Sequence, residues 1–273
     1  MKKTQTEQEL KALCRTLRKD ILNMIHKAGS GHPGGSLSSV EILTVLYNHV
    51  MRVDPENPND PKRDRMILSK GHIAPILYAV LARKGYFGIE ILDTLRKLGS
   101  PLQGHPYAAK LPGLDCSSGS LGQGLSIANG LAIAARKTGA DYRTYCLLGD
   151  GELQEGQVWE AAMTAAHYNL DNVCAIVDYN GVQLDGTTKD IMNIDPVADK
   201  WRTFNWNVVE CDGHEVSDLI DAFEQAEKCK GKPTVIVARC IKGKGVSFME
   251  NQAAWHGAAP NAEQLAQALS ELE

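Results

Sequence analysis

The sequence predicts an α/β fold: a doubly wound parallel sheet with helices on both faces. Three observations carry the prediction. Four short runs, "RTYCLL", "NVCAIV", "WNVVEC" and "TVIVARC", are rich in Val, Ile and Cys and bounded by turn residues, and a shorter run, "RMILS", precedes them. Helical segments separate the runs, and strands alternating with helices pair in parallel and are covered on both sides. The 273 residues, 43% of them hydrophobic, contain no internal repeat, low-complexity tract or evident linker, so one domain over residues 1–273 is expected.

The elements follow in order. Between Glu7 and His26 the apolar residues Leu10, Leu13, Leu17, Ile21, Met24 and Ile25 recur at helical spacing, and Gly29 ends the helix. "GSGHPGGS" reads as a loop, a second helix runs from about Leu37 to Val50, and "VDPENPNDPKRD" is an exposed connection because prolines and acids suit turns. After the strand "RMILS", helical patterns cover Ile73 to Lys84 and Ile89 to Leu98. A Gly- and Pro-rich stretch, "GSPLQGHPYAAKLPGLDCSSGSLGQG", leads into the small-residue helix "LSIANGLAIAARKTG". The remaining strands follow, with "GQVWEAAMTAAHYN" as the helix between the first two, and "NAEQLAQALSELE" closes the chain as a helix.

Composition excludes several classes of function. A net charge of −4, with Lys and Arg dispersed, gives no basic stripe for a nucleic-acid backbone. Seven cysteines without a CxxC pair, several in apolar runs, suit reduced thiols in the cytoplasm. The N-terminus lacks a continuous apolar signal region, and no stretch nears the roughly 18 apolar residues of a membrane span, so no membrane partner is expected.

In a parallel sheet ligands bind at the carboxyl ends of the strands. "LLGDGELQEG" places Asp150 between two glycines at one such end, and "VDYNGVQLDG" places Asp178, Tyr179 and Asn180 at another. If the two strands are neighbours, both ends offer oxygen to one crevice. A hard divalent cation such as Mg²⁺ takes oxygen ligands and commonly shares its shell between one or two protein oxygens, phosphate oxygens and water. A lone acid at such a turn is more often a helix cap. The full "GDGELQEG" with "DYNGVQLDG" after it is far more specific, and no ordered GxGxxG supports a nicotinamide site. Four of the eight histidines occur in Gly- and Pro-rich loops: His32 in "SGHPGG", His72 in "SKGHIAP", His105 in "QGHPYA" and His256 in "AWHGAAP". Imidazoles in such loops can bond sugar hydroxyls and move protons near neutral pH. His26, His49, His167 and His214 lack that context and read as structural.

These motifs resemble the thiamine-diphosphate enzymes, and more narrowly the N-terminal, diphosphate-binding part of transketolase. The resemblance runs from "AGSGHPGGSLSS" through "ILSKGHIAPILYAVL" and "LGDGELQEGQVWEA" to "WHGAAP". It implies the thiamine-diphosphate-binding fold, with the metal on Asp150, Asn180 and the carbonyl of Val182. Mg²⁺ is the expected ion, with Ca²⁺ or Mn²⁺ able to substitute. It further implies that Gly151 meets the diphosphate through its backbone and that Gly119 and Leu121 lie beside the cofactor. His72 and His256 match residues near the diphosphate, and His32, His105 and His256 match residues lining the donor-sugar site. Glu155 and Glu160 match a carboxylate network at the subunit contact, Glu155 reaching toward the glutamate that activates the cofactor.

The chemistry so implied is transfer of a two-carbon ketol unit from a ketose to an aldose. Full-length members carry a second α/β block that holds the cofactor's pyrimidine ring and the sugar phosphate, and these 273 residues do not contain it. A split enzyme is therefore expected, with a C-terminal partner subunit, an α2β2 assembly, and a homodimer of this chain alone. A subunit of a 2-oxo-acid dehydrogenase or of a deoxyxylulose-phosphate synthase relative would share Asp150 and Asn180 but not this histidine set. A non-catalytic cofactor-binding protein would not need four loop histidines.

Overall fold

A computed structural model describes residues 5–273. Helix α1 (Glu7–Ala28) starts on a capping box in which the Thr6 hydroxyl accepts from Glu9 N at 3.3 Å and the Glu9 carboxylate accepts from Thr6 N at 2.7 Å; it stops on Gly29 at φ +63°. The stretch read as a loop contains a short buried helix, α2 (Pro33–Ser38). Proline at its first position is compatible with helix. Its glycines, which read as loop signals, serve close packing instead: a Cβ at Gly34 would stand 2.9 Å from the Trp255 carbonyl oxygen, and one at Gly35 2.8 Å from Ile73. The expected helix from Leu37 to Val50 is also divided. Ser39 breaks it before α3 (Val40–Val45), which passes into a π-helical turn over Leu46–Val50.

Strand β1 (Arg65–Leu68) is followed by a 3₁₀ turn, Gly71–Ile73, and α4 (Ala74–Lys84). The helix expected over Ile89 to Leu98 is only a 3₁₀ segment, Ile89–Thr94, because Leu95 is non-helical and Arg96 adopts φ +59°. Next come α5 (Gly124–Thr138), β2 (Thr144–Gly149), a 3₁₀ turn over Gly151–Gln154, α6 (Gly156–His167) and β3 (Val173–Tyr179). Two helices lie where no specific element is predicted, α7 (Thr188–Ile191) and α8 (Val197–Thr203). The remainder is β4 (Asn207–Asp212), α9 (Val216–Lys228), β5 (Thr234–Arg239) and α10 (Ala262–Glu271).

All five strands are parallel, in the order β1-β2-β3-β5-β4. Alternate strand residues face opposite layers, as the twofold period of a strand requires. Tyr145, Leu147, Cys174 and Ile176 join the core beneath α1, α3, α4 and α9, whereas Cys146, Leu148, Ala175 and Val177 join the core beneath α5, α6 and α8. The sheet is thus covered on both faces, and its free space lies at the strand ends. None of the helices among the described residues is long and apolar enough to cross a membrane.

Candidate functional site

Strands β2 and β3 are neighbours with Gly149 opposite Asp178, so Asp150 and Asn180 leave the sheet side by side. A cavity of about 330 Å³ opens at these ends, lined among others by Asp150, Gly151, Asn180, Val182, Gly119, Leu121, His72, His256 and Glu155. The structure therefore gathers every predicted cofactor and metal residue around one space. Among the described residues no three His, Cys, Asp or Glu side chains cluster at metal-binding distance, and the predicted set is of another kind: a carboxylate, an amide and a backbone carbonyl.

Asp150 serves as a cap and also faces the cavity. Its carboxylate accepts from Gly151 N at 2.7 Å at the head of the 3₁₀ turn, and also from Gly181 N. It is 2% exposed, and burial together with the charge of Asp178 pushes its pKa up to about 6, against the pull of those backbone bonds and of Lys70. A buried carboxylate raised in this way gains most from a cation. Asn180 Oδ1 accepts from Val182 N at 3.1 Å, which shapes the turn that places Val182 in the cavity lining, with its carbonyl accepting from Lys242 Nζ at 3.1 Å. Gly151 is a close-packed position of the cavity wall, since a Cβ there would stand 3.0 Å from Gln183 Cβ. Hard oxygen donors at a half-buried glycine turn fit a metal-bound diphosphate.

Asp178 behaves differently from the expectation that it faces the crevice. It is fully buried and turned inward, where Lys70 Nζ, Ser38 Oγ and Ser39 Oγ all donate to it. Burial would raise its pKa, but the Lys70 ammonium and these bonds hold it below the ordinary value. It is the counter-ion of Lys70 and lies outside the cavity lining, whereas Lys70 itself forms part of the cavity wall.

The four loop histidines converge. Ring centroids lie 5.2 Å apart for His32 and His72, 5.1 Å for His72 and His256, 5.4 Å for His32 and His256, and 6.4 Å for His32 and His105. His72 and His256 line the cavity; His32 and His105 extend the group outward. Burial lowers all four pKa values, to about 4 for His32 and His256, with Arg96, Lys242 and neighbouring imidazoles adding to the effect. Each is therefore neutral at pH 7. The histidines read as structural do lie elsewhere. His26 Nδ1 meets Pro260 O at 2.8 Å, and His214 bridges Glu41 and Ile241 N.

Sequence reasoning missed three buried charged groups. Lys242, 2% exposed, donates to the carbonyls of Val182 at 3.1 Å and Gln183 at 3.0 Å and lies 2.9 Å from His256 Nδ1; burial lowers its pKa to about 8. Lys70 is the second. Glu152 is the third: its carboxylate accepts from Ser69 Oγ, from Gly122 N at 2.8 Å and from Gly149 N at 3.0 Å, tying three cavity walls together. Lys70 could have been found by the rule that found Asp150, since "ILSKGH" also leaves a strand end. Glu155 and Glu160 are exposed, Glu155 at the cavity edge.

Residues 7–272 match the family described as transketolase, thiamine diphosphate binding domain. The chain is 46% identical over 265 residues to the 6-deoxy-6-sulfo-D-fructose transketolase subunit SqwG of Clostridium sp. (strain MSTE9), covering 97% of this chain and 96% of that protein. It is 44% identical to an apulose-4-phosphate transketolase subunit of Phocaeicola vulgatus, covering 93% and 90% of the two chains. Among solved structures it superimposes on transketolase from Leishmania mexicana with a TM-score of 0.93 at 30% identity, covering 96% of this chain and 41% of that one. The corresponding values for the Campylobacter jejuni enzyme are 0.91, 35%, 97% and 43%. The chain thus spans about two fifths of those solved transketolases and nearly all of the subunit relatives.

Proposed function

The chain belongs to the transketolase family, as one subunit of a split enzyme, and on that premise we propose how it works. It holds thiamine diphosphate through Mg²⁺ and, with a pyrimidine-binding second subunit, transfers a two-carbon ketol unit from a ketose to an aldose. The observation that carries this reading is the convergence of four neutral loop histidines on a cavity with Asp150 and Asn180 on its floor.

Asp150, Asn180 Oδ1 and the Val182 carbonyl hold the metal, for which Ca²⁺ or Mn²⁺ can substitute, and Gly151 meets the diphosphate through its backbone. When bound, thiamine diphosphate supplies the carbanion and electron sink for cleavage of the ketose C–C bond. Gly119 and Leu121 bound the cofactor's side of the cavity, and His72 stands next to the diphosphate. His32, His105 and His256 bind and orient the sugar carbonyl and hydroxyls and handle protons there. Neutral imidazoles suit this work, because each can offer one donor and one acceptor.

The whole of residues 1–273 acts as one cofactor domain. Exposed apolar side chains stand beside the cavity: Leu184 lines it, while Ile191 and Met192 lie next to Gln154, whose amide reaches Met192 O at 2.8 Å. They support a partner seated there, with Glu155 and Glu160 at the contact, in an α2β2 assembly. Isolated chain pairs as a homodimer without activity. Seven unpaired cysteines support a reducing, cytoplasmic setting. The substrates are sugars or sugar phosphates, and the relatives are named for ketoses bearing a sulfonate or a phosphate.

Purified chain with Mg²⁺ and thiamine diphosphate is expected to show no ketose cleavage. Co-purification with a second chain resembling the C-terminal half of transketolase should restore ketol transfer and give an α2β2 mass by light scattering. Robust turnover by the single chain would overturn the split-enzyme reading.

A further inference from the structure

Arg96, beside the histidine group, is unusual in both its backbone and its side chain. It sits at φ +59°, a region a long side chain rarely adopts, and its N–H is held by Leu102 O at 2.8 Å. Among the described residues its guanidinium makes no ion pair. Instead Nη1 donates to Ser30 Oγ at 2.9 Å and Nη2 lies 3.4 Å from His32 Nδ1. Gly104 leaves room for this placement, because a Cβ there would stand 3.0 Å from Arg96 Cζ.

We propose that Arg96 is a positioning residue that fixes His32 as the Nε2–H tautomer, so that this imidazole enters the site as a hydrogen-bond donor rather than as a base. A guanidinium has five N–H donors, no acceptor, and does not deprotonate in proteins. The His32 nitrogen facing it must therefore carry a lone pair. In a neutral ring the proton is then on the other nitrogen, Nε2, which points toward Gly257, beside His256: a Cβ at Gly257 would lie 3.7 Å from it. Reversing the ring would set a C–H against the guanidinium and lose the bond.

The surroundings agree. The groups facing His32 are Arg96, Lys242, His72, His105 and His256, with no carboxylate among them to favour the charged ring. His256 is handled in the same way, with Lys242 Nζ 2.9 Å from its Nδ1. Two of the four imidazoles thus carry the proton on Nε2, and an N–H donor of that kind is suited to stabilising negative charge on a substrate oxygen. That use rests on the proposed donor-sugar site; the tautomer does not.

The test is long-range ¹H–¹⁵N NMR on full chain labelled at histidine, with the His32 signals identified by their loss in His32→Asn. His32 of the wild-type chain is expected as the Nε2–H tautomer, Arg96→Met should give a mixture with Nδ1–H, and Arg96→Lys should restore the single form. In enzyme reconstituted with its partner, Arg96→Met should lower kcat/KM by roughly tenfold, with Arg96→Lys recovering most of it. If the tautomer shifts in Arg96→Met and turnover does not, the positioning by Arg96 stands and the role of His32 at the sugar fails. An Nδ1–H ring in the wild-type chain, or an Arg96→Met spectrum identical to wild type, overturns the proposal, and the first of these needs no variant to fold.

Discussion

The floor and the rim of the cavity treat polar groups in opposite ways. On the floor and just beneath it, where Asp178 backs Lys70, Asp150, Glu152, Asp178, Lys70 and Lys242 are none of them more than 3% exposed, and each is held by backbone groups, hydroxyls or an opposite charge. On the rim the four histidines are half-buried or exposed, uncharged, and bound to few neighbours. Buried charges cannot be altered without unbalancing their partners, whereas neutral rings in loops can. Stability and chemistry should therefore be inseparable on the floor and separable on the rim.

The largest effect expected from breaking this contrast is at the Lys70–Asp178 pair. Lys70→Met leaves an uncompensated carboxylate in the interior and should cost about 3–5 kcal/mol in urea denaturation. A loss below about 1 kcal/mol would show that the floor tolerates change as the rim does.

Asp150 comes next, with the opposite sign. Its folded pKa of about 6 lies above the ordinary 3.8, so between those values the folded chain binds more protons than the unfolded one, and metal-free stability should fall as pH rises from 4 to 6. The ionised form costs at most roughly 3 kcal/mol above pH 6 and nothing below the unfolded value. Asp150→Asn should remove this pH dependence, raise the melting temperature of metal-free chain at neutral pH, and abolish Mg²⁺-dependent cofactor binding by calorimetry in the assembled enzyme. Flat stability between pH 4 and 6 in the wild-type chain would count against a buried, cation-seeking carboxylate.

On the rim, His32→Ala, His105→Ala and His256→Ala should each change stability by about 1 kcal/mol or less while lowering turnover of the reconstituted enzyme by ~10²-fold or more. Collapsed melting temperatures with normal activity per folded molecule would make these rings part of the core. The smallest effect belongs to Glu155→Gln. Being exposed, it should leave the isolated chain within about 0.5 kcal/mol of wild type and act only once a partner covers it.

The same contrast explains what could be read in the sequence. The strands, their alternation with helices, and the pairing of Asp150 with Asn180 were legible because apolar runs and glycine turns mark strand ends locally. The four histidines were legible because each sits in a Gly- and Pro-rich loop. Glu152 and Lys242 were not, because a buried charge has the same letter as a surface one and its partners lie far away: Ser69 and Gly122 for Glu152, Val182 and Gln183 for Lys242. Helix α2 was hidden for a related reason. Gly34 and Gly35 signal a loop by composition, and only the proximity of Trp255 and Ile73 shows that they are packing residues.

The strand order also bears on how the chain acquires its site in time. Of the four pairings in the sheet, β1 with β2 spans α4 and α5, and β3 with β5 must wait across α7, α8, β4 and α9, whereas β2 with β3 and β4 with β5 each close over a single intervening α-helix. Loop-closure entropy favours the two short crossovers, and the β2–α6–β3 crossover is the unit that carries both Asp150 and Asn180. The two side chains expected to grip the metal are thus brought together by one of the least demanding closures in the molecule. Pulse-labelled hydrogen exchange during refolding should find the amides of β3 protected no later than those of β1.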